Sequence, residues 1–339
     1  MYKDIFEGKT ILITGGTGFL GKALVKQILK FNPHSIRVFS RDEVKHHNLN
    51  SLHENDPRIR CLLGDIRDKE RVGRAIEGVD IVIHAAALKR LDMIEYNVAE
   101  SIKTNIIGTL NVAEQCINHN IEKAIFVSTD KACSAINTYG ACKFIGERIF
   151  TESNYSKGAV KTVLSSVRYG NVLESTGSVI PFFINKIKTG QDIPITDENM
   201  TRFIIDSDSA VELIFKAIKY SEGGEVFIPK LPSFRITDLA DAMKEELDSK
   251  VENYMVGIRP GEKIHELMLN QYEVKKAFEF EGVLVLVPNI EKVARYKYLD
   301  PSKRYDKKIM SSEDNIISKD KLKKILIKLN VFDREGNKQ

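Results

Sequence analysis

Residues 10–31 read TILITGGTGFLGKALVKQILKF, and the junction inside that stretch decides the fold. TILIT is an apolar run of strand length, the pattern of a strand buried on both faces. FLGKALVKQILKF repeats its apolar residues at intervals of three and four, which predicts an amphipathic helix. Between them GGTGFLG sets Gly15, Gly18 and Gly21 where the chain must turn tightly, let a diphosphate approach its backbone and pack the helix on the sheet. A glycine pattern alone is weak evidence; the strand before it and the helix after it make it a dinucleotide-binding turn. Thr17, Phe19 and Leu20 belong to the same turn and are expected to meet the cofactor with it.

Outward from that junction, β-rich runs alternate with helical ones. SIRVFSR, IRCLLGDIRD, VDIVIHAAAL, KAIFVSTDKA and TVLSSVRYGNV read as further strands. Helices are expected over VGRAIEG, SIKTNIIGTLNVAEQCINHN and NTYGACKFIGERIFTESN. This alternation implies right-handed βαβ units and an α/β fold with a doubly wound parallel sheet of the Rossmann type. After residue 172 the rhythm breaks into turn residues, prolines and short apolar pieces. Residues 1–172 are therefore expected to form the NAD(P)-binding domain with the catalytic residues, and 173–339 mainly a smaller substrate-binding lobe. The two interleave, with a cleft between them. SKDKLKKILIKLNVF predicts a basic amphipathic helix packed at the end of the fold, its KDKLKK run a solvated face.

The strand ends sort further residues. FSRDE closes the second strand with Ser40 and Arg41 where an acid would normally grip a ribose, and Arg41 suits a 2′-phosphate. This favours NADP over NAD, with Asp42 and Glu43 keeping NAD open. Asp65 and Ile66 follow the third strand, where an adenine can lie. Ala85, Ala86 and Ala87 follow the fourth and let backbone approach the cofactor. His84 reads as a structural histidine at a strand end, and Asn105 as a helix amide turned toward the sheet to buttress the site.

The bulk numbers restrict the classes. The 339 residues are 42% hydrophobic and 29% charged with a net charge of +4, and the basic residues are mixed with acidic ones, so no nucleic-acid footprint appears. The four cysteines lack metal spacing and fit a reducing compartment, the cytoplasm by default. No signal peptide and no run near the ~20 apolar residues of a span is read.

The chemistry concentrates in STDKACSAINTYGACK, residues 128–143. Tyr139 and Lys143 stand four apart on a predicted helix and share a face. A tyrosine is a poor base at neutral pH unless positive charge favours its phenolate, which a neighbouring ammonium and a nicotinamide ring can supply. Asp130 and Lys131 add an acid and a base beside them. For these to act, the lysine has to be neutral, which desolvation and a nearby cation promote, and the aspartate has to carry or relay a proton.

With these motifs in place the chain resembles the extended short-chain dehydrogenase/reductases, and within them the UDP-N-acetylglucosamine 4,6-dehydratases of the soluble, C5-inverting, pseudaminic acid type. The resemblance runs on through VRYGNV, GSVIPFF, PITDENMTRF, GGEVFIPKLPS and GIRPGEKIHE. It implies that Tyr139 and Lys143 serve oxidation at C4, Lys131 is the C5 base, Asp130 the acid at the C6 oxygen, and Thr129 a partner of the C4 oxygen. It also implies that Lys89, Asn171, Arg202, Arg259 and Glu262 bind the substrate, and that the protein is a homo-oligomer, a dimer or a hexamer. Ala135, Cys142 and the pair Glu174 and Thr176 depart from the family pattern, the last pair at substrate contacts. The alternatives are a C5-retaining dehydratase, a UDP-sugar 4-epimerase, which has no use for Asp130 and Lys131, and a non-catalytic dinucleotide-sensing module.

Overall fold

The computed structural model describes residues 2–173, 175, 178–306 and 309–332; Glu174 and Thr176 lie outside the described residues. Six strands, β1 (Thr10–Thr14), β2 (Ser35–Ser40), β3 (Ile59–Leu63), β4 (Ile81–His84), β5 (Lys123–Val127) and β6 (Val163–Val167), run parallel in the order 3-2-1-4-5-6. That order places a crevice at the carboxyl ends of β1 and β4, where the winding reverses. The central strands β1 and β4 are buried on both faces, and the alternate residues of β1 enter different cores. Ile11 and Ile13 pack with the helices Phe19–Ile28 and Ser207–Tyr220. Leu12 packs on the other side with Lys69–Ile76 and Gly108–Asn118.

The second half of the chain supplies β7 (Asn171–Val172), β8 (Ile193–Ile195), β9 (Thr201–Ile205), β10 (Val226–Pro229), β11 (Ser233–Arg235), β12 (Asn253–Met255), β13 (Leu267–Leu269), β14 (Ala277–Phe280), β15 (Val283–Leu286) and β16 (Met310–Ser311). It contributes to both parts of the molecule. The helix Ser207–Tyr220 is one more crossover, after which β10 joins β6 in parallel. β15 and β14 then extend the edge antiparallel, giving nine strands. The lobe holds the small sheets β11-β9-β7, β12-β8 and β13-β16 around its own core, which includes Phe183, Ile193, Leu239 and Met243. The helix Lys319–Lys328 closes that core. Its Leu322 and Leu326 are fully buried, each contributing about 1.5–3 kcal/mol of burial. Its lysines lie outward, with Lys323 3.2 Å from Glu246.

One element departs from expectation. The single helix expected over 101–120 is broken into Val98–Ser101, a π-helical stretch Ile102–Ile107 and Gly108–Asn118. The wider turn contains Asn105, whose side chain faces the loop after β4. Among the described residues no helix is long and apolar enough to cross a membrane.

Candidate active site

At the nucleotide end the site is mostly backbone. Gly15 has φ +68°, and a Cβ there would lie 2.8 Å from Ala86 Cα; a Cβ on Gly21 would lie 2.3 Å from the Gly16 oxygen. These contacts draw the β1 turn against the β4 loop and seat the helix Phe19–Ile28, leaving Gly18 at its start. Thr17 Oγ1 and Ser40 Oγ are 2.9 Å apart, while Phe19 and Leu20 open the helix, partly exposed. No carboxylate occupies the end of β2. Asp42 turns back to cap the helix Glu43–Leu52 through the Lys45 N–H. Arg41 is half exposed and 3.7 Å from Asp65. Arg67 grips Asp65 through its side chain and its N–H, and although burial pushes that carboxyl up, these bonds hold it below the ordinary range. Ile66 is buried against Gly108 and is part of the core as well as the strand end.

Behind this crevice a hydrogen-bond chain fixes the β4 loop that carries Ala85, Ala86 and Ala87. The Ala86 N–H donates to Thr14 Oγ1, which lies 2.7 Å from His84 Nδ1. His84 Nε2 lies 3.0 Å from Thr109 Oγ1, which donates to the Asn105 carbonyl. This order assigns the histidine proton to Nε2. His84 is fully buried and pushed down to about 3 by desolvation, then by Lys143, so it is neutral. Asn105 accepts from the Leu88 N–H and donates to the Leu88 carbonyl, clamping the loop before Lys89, which stands exposed next to it.

The chemical end is built on charge. Asp130–Ala132 forms a tight turn after β5, and the helix Thr138–Ser156 begins on it, capped by Asn137. A Cβ on Gly140 would lie 2.2 Å from the Lys131 carbonyl oxygen, so glycine lets the Tyr139 helix close on the Asp130-Lys131 turn. Asp130 is fully buried, and its Oδ1 accepts from Thr129 Oγ1 at 2.8 Å and from Lys131 Nζ at 3.0 Å. Lys131 Nζ also donates to Asn171 Oδ1 at 3.3 Å and lies 3.4 Å from Glu266 Oε1. Lys143 is buried, donates to the Val127 carbonyl at 2.7 Å and sits 4.5 Å from the Phe126 ring centre.

The resting electrostatics add two features that the motif does not carry. Burial does draw Lys131 toward neutrality, but Asp130 and Glu266 outweigh it, with Arg202 opposing them, and hold the lysine well above its ordinary value. It rests as an ammonium. Tyr139 is pushed up to about 12 by burial and by Asp130, against a lowering by Lys131. The ammonium that favours its phenolate belongs to Lys131, while Lys143 is itself pushed down to about 8 by desolvation, against Glu147.

The lobe reaches in by two routes. Arg202, buried, donates to the carbonyls of Thr201 and Ile264, with Nε 3.9 Å from Glu266. The turn Arg259–Glu262 leaves Arg259 exposed and is tied to the start of the Tyr139 helix: Asn137 donates to the Gly261 carbonyl, and Lys263 to that of Cys133. Asn171, expected to bind the substrate, also meets Lys131. Sequence reasoning missed Glu266, which ends the quoted block GIRPGEKIHE but carries no spacing signal. It also missed the buried triad in which Arg168 bonds both Glu147, on the Tyr139 helix, and Glu273, in the lobe.

Comparison with known proteins bears on this arrangement. A family model described as "Polysaccharide biosynthesis protein" matches residues 11–288. A Methanocaldococcus jannaschii protein named as an uncharacterized membrane protein is 44% identical, covering 96% of this chain and 98% of its own. A UDP-N-acetylglucosamine 4,6-dehydratase (inverting) of Campylobacter jejuni is 44% identical over 85% of this chain and 86% of its own. A UDP-glucose 4-epimerase of Rickettsia massiliae is 40% identical over 80% and 81%. The X-ray structure of Pen from Bacillus thuringiensis superimposes with a TM-score of 0.90 at 38% identity, covering 96% of this chain and 99% of that one.

Proposed function

The chain belongs to the polysaccharide biosynthesis protein family, among the extended short-chain dehydrogenase/reductases, and on that premise we propose that it is a UDP-N-acetylglucosamine 4,6-dehydratase that inverts C5. The observation that carries the reading is the Lys131–Asp130 pair, 3.0 Å apart, on the turn that seats the Tyr139 helix. Epimerisation at C4 needs Tyr139 and Lys143; loss of water from C5 and C6 needs a further base and acid. The product, a 4-keto-6-deoxy sugar nucleotide, would feed pseudaminic acid or other surface-glycan synthesis, and the overall reaction is that of a hydro-lyase.

A dinucleotide fits the glycine cradle of the β1 turn, and when bound it supplies hydride transfer at C4 and C6. We assign NADP, because Arg41 is half exposed at the end of β2 and Asp42, the acid that follows it, is turned back to cap the next helix rather than to accept from a ribose hydroxyl. Gly15, Thr17, Gly18, Phe19, Leu20 and Gly21 would line the diphosphate, with Ser40, Arg41, Asp65, Ile66 and Ala85 to Ala87 toward the adenosine and Asn105 behind the loop. Tyr139 takes the C4 hydroxyl proton, with Thr129 beside the oxygen and Lys143 beneath. Once C4 is a ketone, the C5 hydrogen is acidic. A proton crossing from Lys131 to Asp130 makes an amine and an acid without any proton from outside. The amine takes the C5 proton, and the acid protonates the departing C6 oxygen. C5 then receives a proton from the opposite face. Lys89, Asn171, Arg202, Arg259 and Glu262 are proposed to hold the substrate.

We further propose a homo-oligomer, a dimer or hexamer, since Tyr96, Val98, Ile102 and Phe144 expose apolar surface around neighbouring helices. The four free cysteines suit the cytoplasm. Incubation with UDP-N-acetylglucosamine in D2O, followed by proton NMR, tests the function. A 4-keto-6-deoxy sugar with deuterium at C5 is expected, its ring couplings reporting inversion. The Rickettsia relatives favour a 4-epimerase as second reading, and UDP-N-acetylgalactosamine as sole product would establish that instead.

A further inference from the structure

Glu266 joins the buried charge cluster from the far half of the chain. It stands directly before β13, its N–H donating to Ser312 Oγ and its carbonyl accepting from the Ser312 N–H, both at 2.9 Å. Ser312 in turn lies 2.6 Å from Thr201 Oγ1 on β9, so the backbone under Glu266 is pinned. The side chain is 3% exposed. Oε1 lies 3.4 Å from Lys131 Nζ and 3.9 Å from Arg202 Nε; Oε2 lies 3.9 Å from Lys263 Nζ and has no hydrogen-bond partner among the described residues. A carboxylate buried with one oxygen so poorly satisfied is costly for structure alone, and an apolar side chain would fill the space at less cost. What the carboxylate adds is charge at the Lys131 ammonium.

Resting on the dehydratase reading above, we propose that Glu266 is a positioning residue for the elimination step. It holds the Lys131 side chain between two carboxylates from opposite halves of the chain and keeps a negative charge beside it while Asp130 carries the proton. At rest Lys131 is an ammonium between two carboxylates. One proton passes from Nζ to Asp130, leaving an amine and an acid. The amine accepts the C5 proton, and the C5–H electron pair becomes the C5=C6 double bond. The C6–O bond breaks as Asp130 returns its proton to the leaving oxygen, which departs as water. Ammonium and carboxylate are restored, and Glu266 stays ionised throughout. Asp130, Glu266, Arg202 and Tyr139 are the charged or titratable groups facing Lys131; Lys131, Arg202 and Lys263 face Glu266. Against the weakly acidic C5–H, a base with an anion beside it is the stronger one.

The test compares Glu266→Gln with the wild type on UDP-N-acetylglucosamine carrying hydrogen or deuterium at C5. Water loss is expected to fall about 10- to 100-fold, the scale of a misplaced reacting group. The C5 isotope effect should grow, because proton removal becomes the slow step. The pH profile of C5 deuterium uptake in D2O should move to lower pH by about one unit, since losing a neighbouring anion lowers every titration of the Asp130-Lys131 pair. Glu266→Asp keeps the charge and should hold the wild-type profile at a reduced rate; it carries the test if the glutamine variant does not fold. An unchanged profile and isotope effect in Glu266→Gln, or a shifted profile in Glu266→Asp, overturns the assignment while leaving the dehydratase reading intact. A wild type that yields no 4-keto-6-deoxy sugar overturns that reading, and this inference with it.

Discussion

At the ends of β1, β2 and β4 the chain offers backbone, glycines and small side chains; at the end of β5 it offers a buried cluster of charge. The first region works by absence. Gly15 and Gly21 are placed where a Cβ would strike backbone at 2.8 and 2.3 Å, and the fully buried His84 behind them is neutral. The second works by presence: Asp130, Lys131, Glu266 and Arg202 come from three distant stretches and meet in one buried cluster of ion pairs. A backbone site can be specified by local spacing, whereas a charge site exists only once the halves of the chain have docked. The two regions should therefore fail separately when mutated.

Lys131→Met should separate them most sharply. Water loss is expected to fall by at least about 10³-fold, roughly 4 kcal/mol of transition-state stabilisation, measured as 4-keto-6-deoxy product. NADP affinity, measured by titration, should be unchanged. Leaving the buried Asp130 without its ion-pair partner should also cost about 3–5 kcal/mol of stability, read as a lower melting temperature. If the variant turns over normally, the assignment of the C5 base is wrong. If NADP binding fails as well, the two regions are not independent.

Gly140→Ala comes next. The added Cβ would sit 2.2 Å from the Lys131 oxygen, so the turn and the Tyr139 helix must move apart. A shift near 1 Å at a reacting group costs about 10²-fold, and that loss is expected in kcat with NADP affinity preserved. Wild-type kcat would mean the approach of turn and helix does not govern the chemistry.

These two variants also mark where the sequence was legible. GGTGFLG and its flanks sufficed for the β1 turn because the close approaches that shape it, at Gly15 and Gly21, are to backbone. The doubly wound parallel sheet followed from alternation and the handedness of crossovers. The broken helix around Asn105 was not legible, since IKTNII has ordinary helical spacing and the wider turn is stabilised by a partner, Leu88, outside it. Nor was Glu266, one glutamate among many until Ser312 ties its backbone to Thr201 on β9. The resting charge of Lys131 was not legible for the same reason: the motif suggested desolvation, but not the opposing carboxylate from the lobe.

Arg41→Ala probes the nucleotide end with a smaller effect. Removing one guanidinium from a phosphate loses about 1.5–3 kcal/mol, so NADP affinity should fall about 10- to 100-fold. NAD affinity should barely change, and dehydration with saturating cofactor should persist. Equal losses for both cofactors would remove the basis for assigning NADP.

The smallest effect tests whether the buried layer behind the nucleotide end is free of charge, the ion pairs of Arg41 and Arg67 with Asp65 lying outside it. His84, pushed down to about 3 in the folded chain, has an ordinary value of 6.5, so below that pH the unfolded chain takes up a proton that the folded chain refuses. The stability it contributes is present above pH 6.5 and is lost as the pH falls from there toward 3. Between pH 6 and 5 the expected loss is about 1 kcal/mol. Glutamine at this position can accept from Thr14 and donate to Thr109 but does not titrate, so in His84→Gln this part of the acid sensitivity should vanish. Urea unfolding at both pH values would give the comparison, the gap between wild type and variant shrinking by about 1 kcal/mol toward pH 5. Parallel curves would mean that His84 charges inside the fold beside Lys143, and the nucleotide end would then carry charge as the chemical end does.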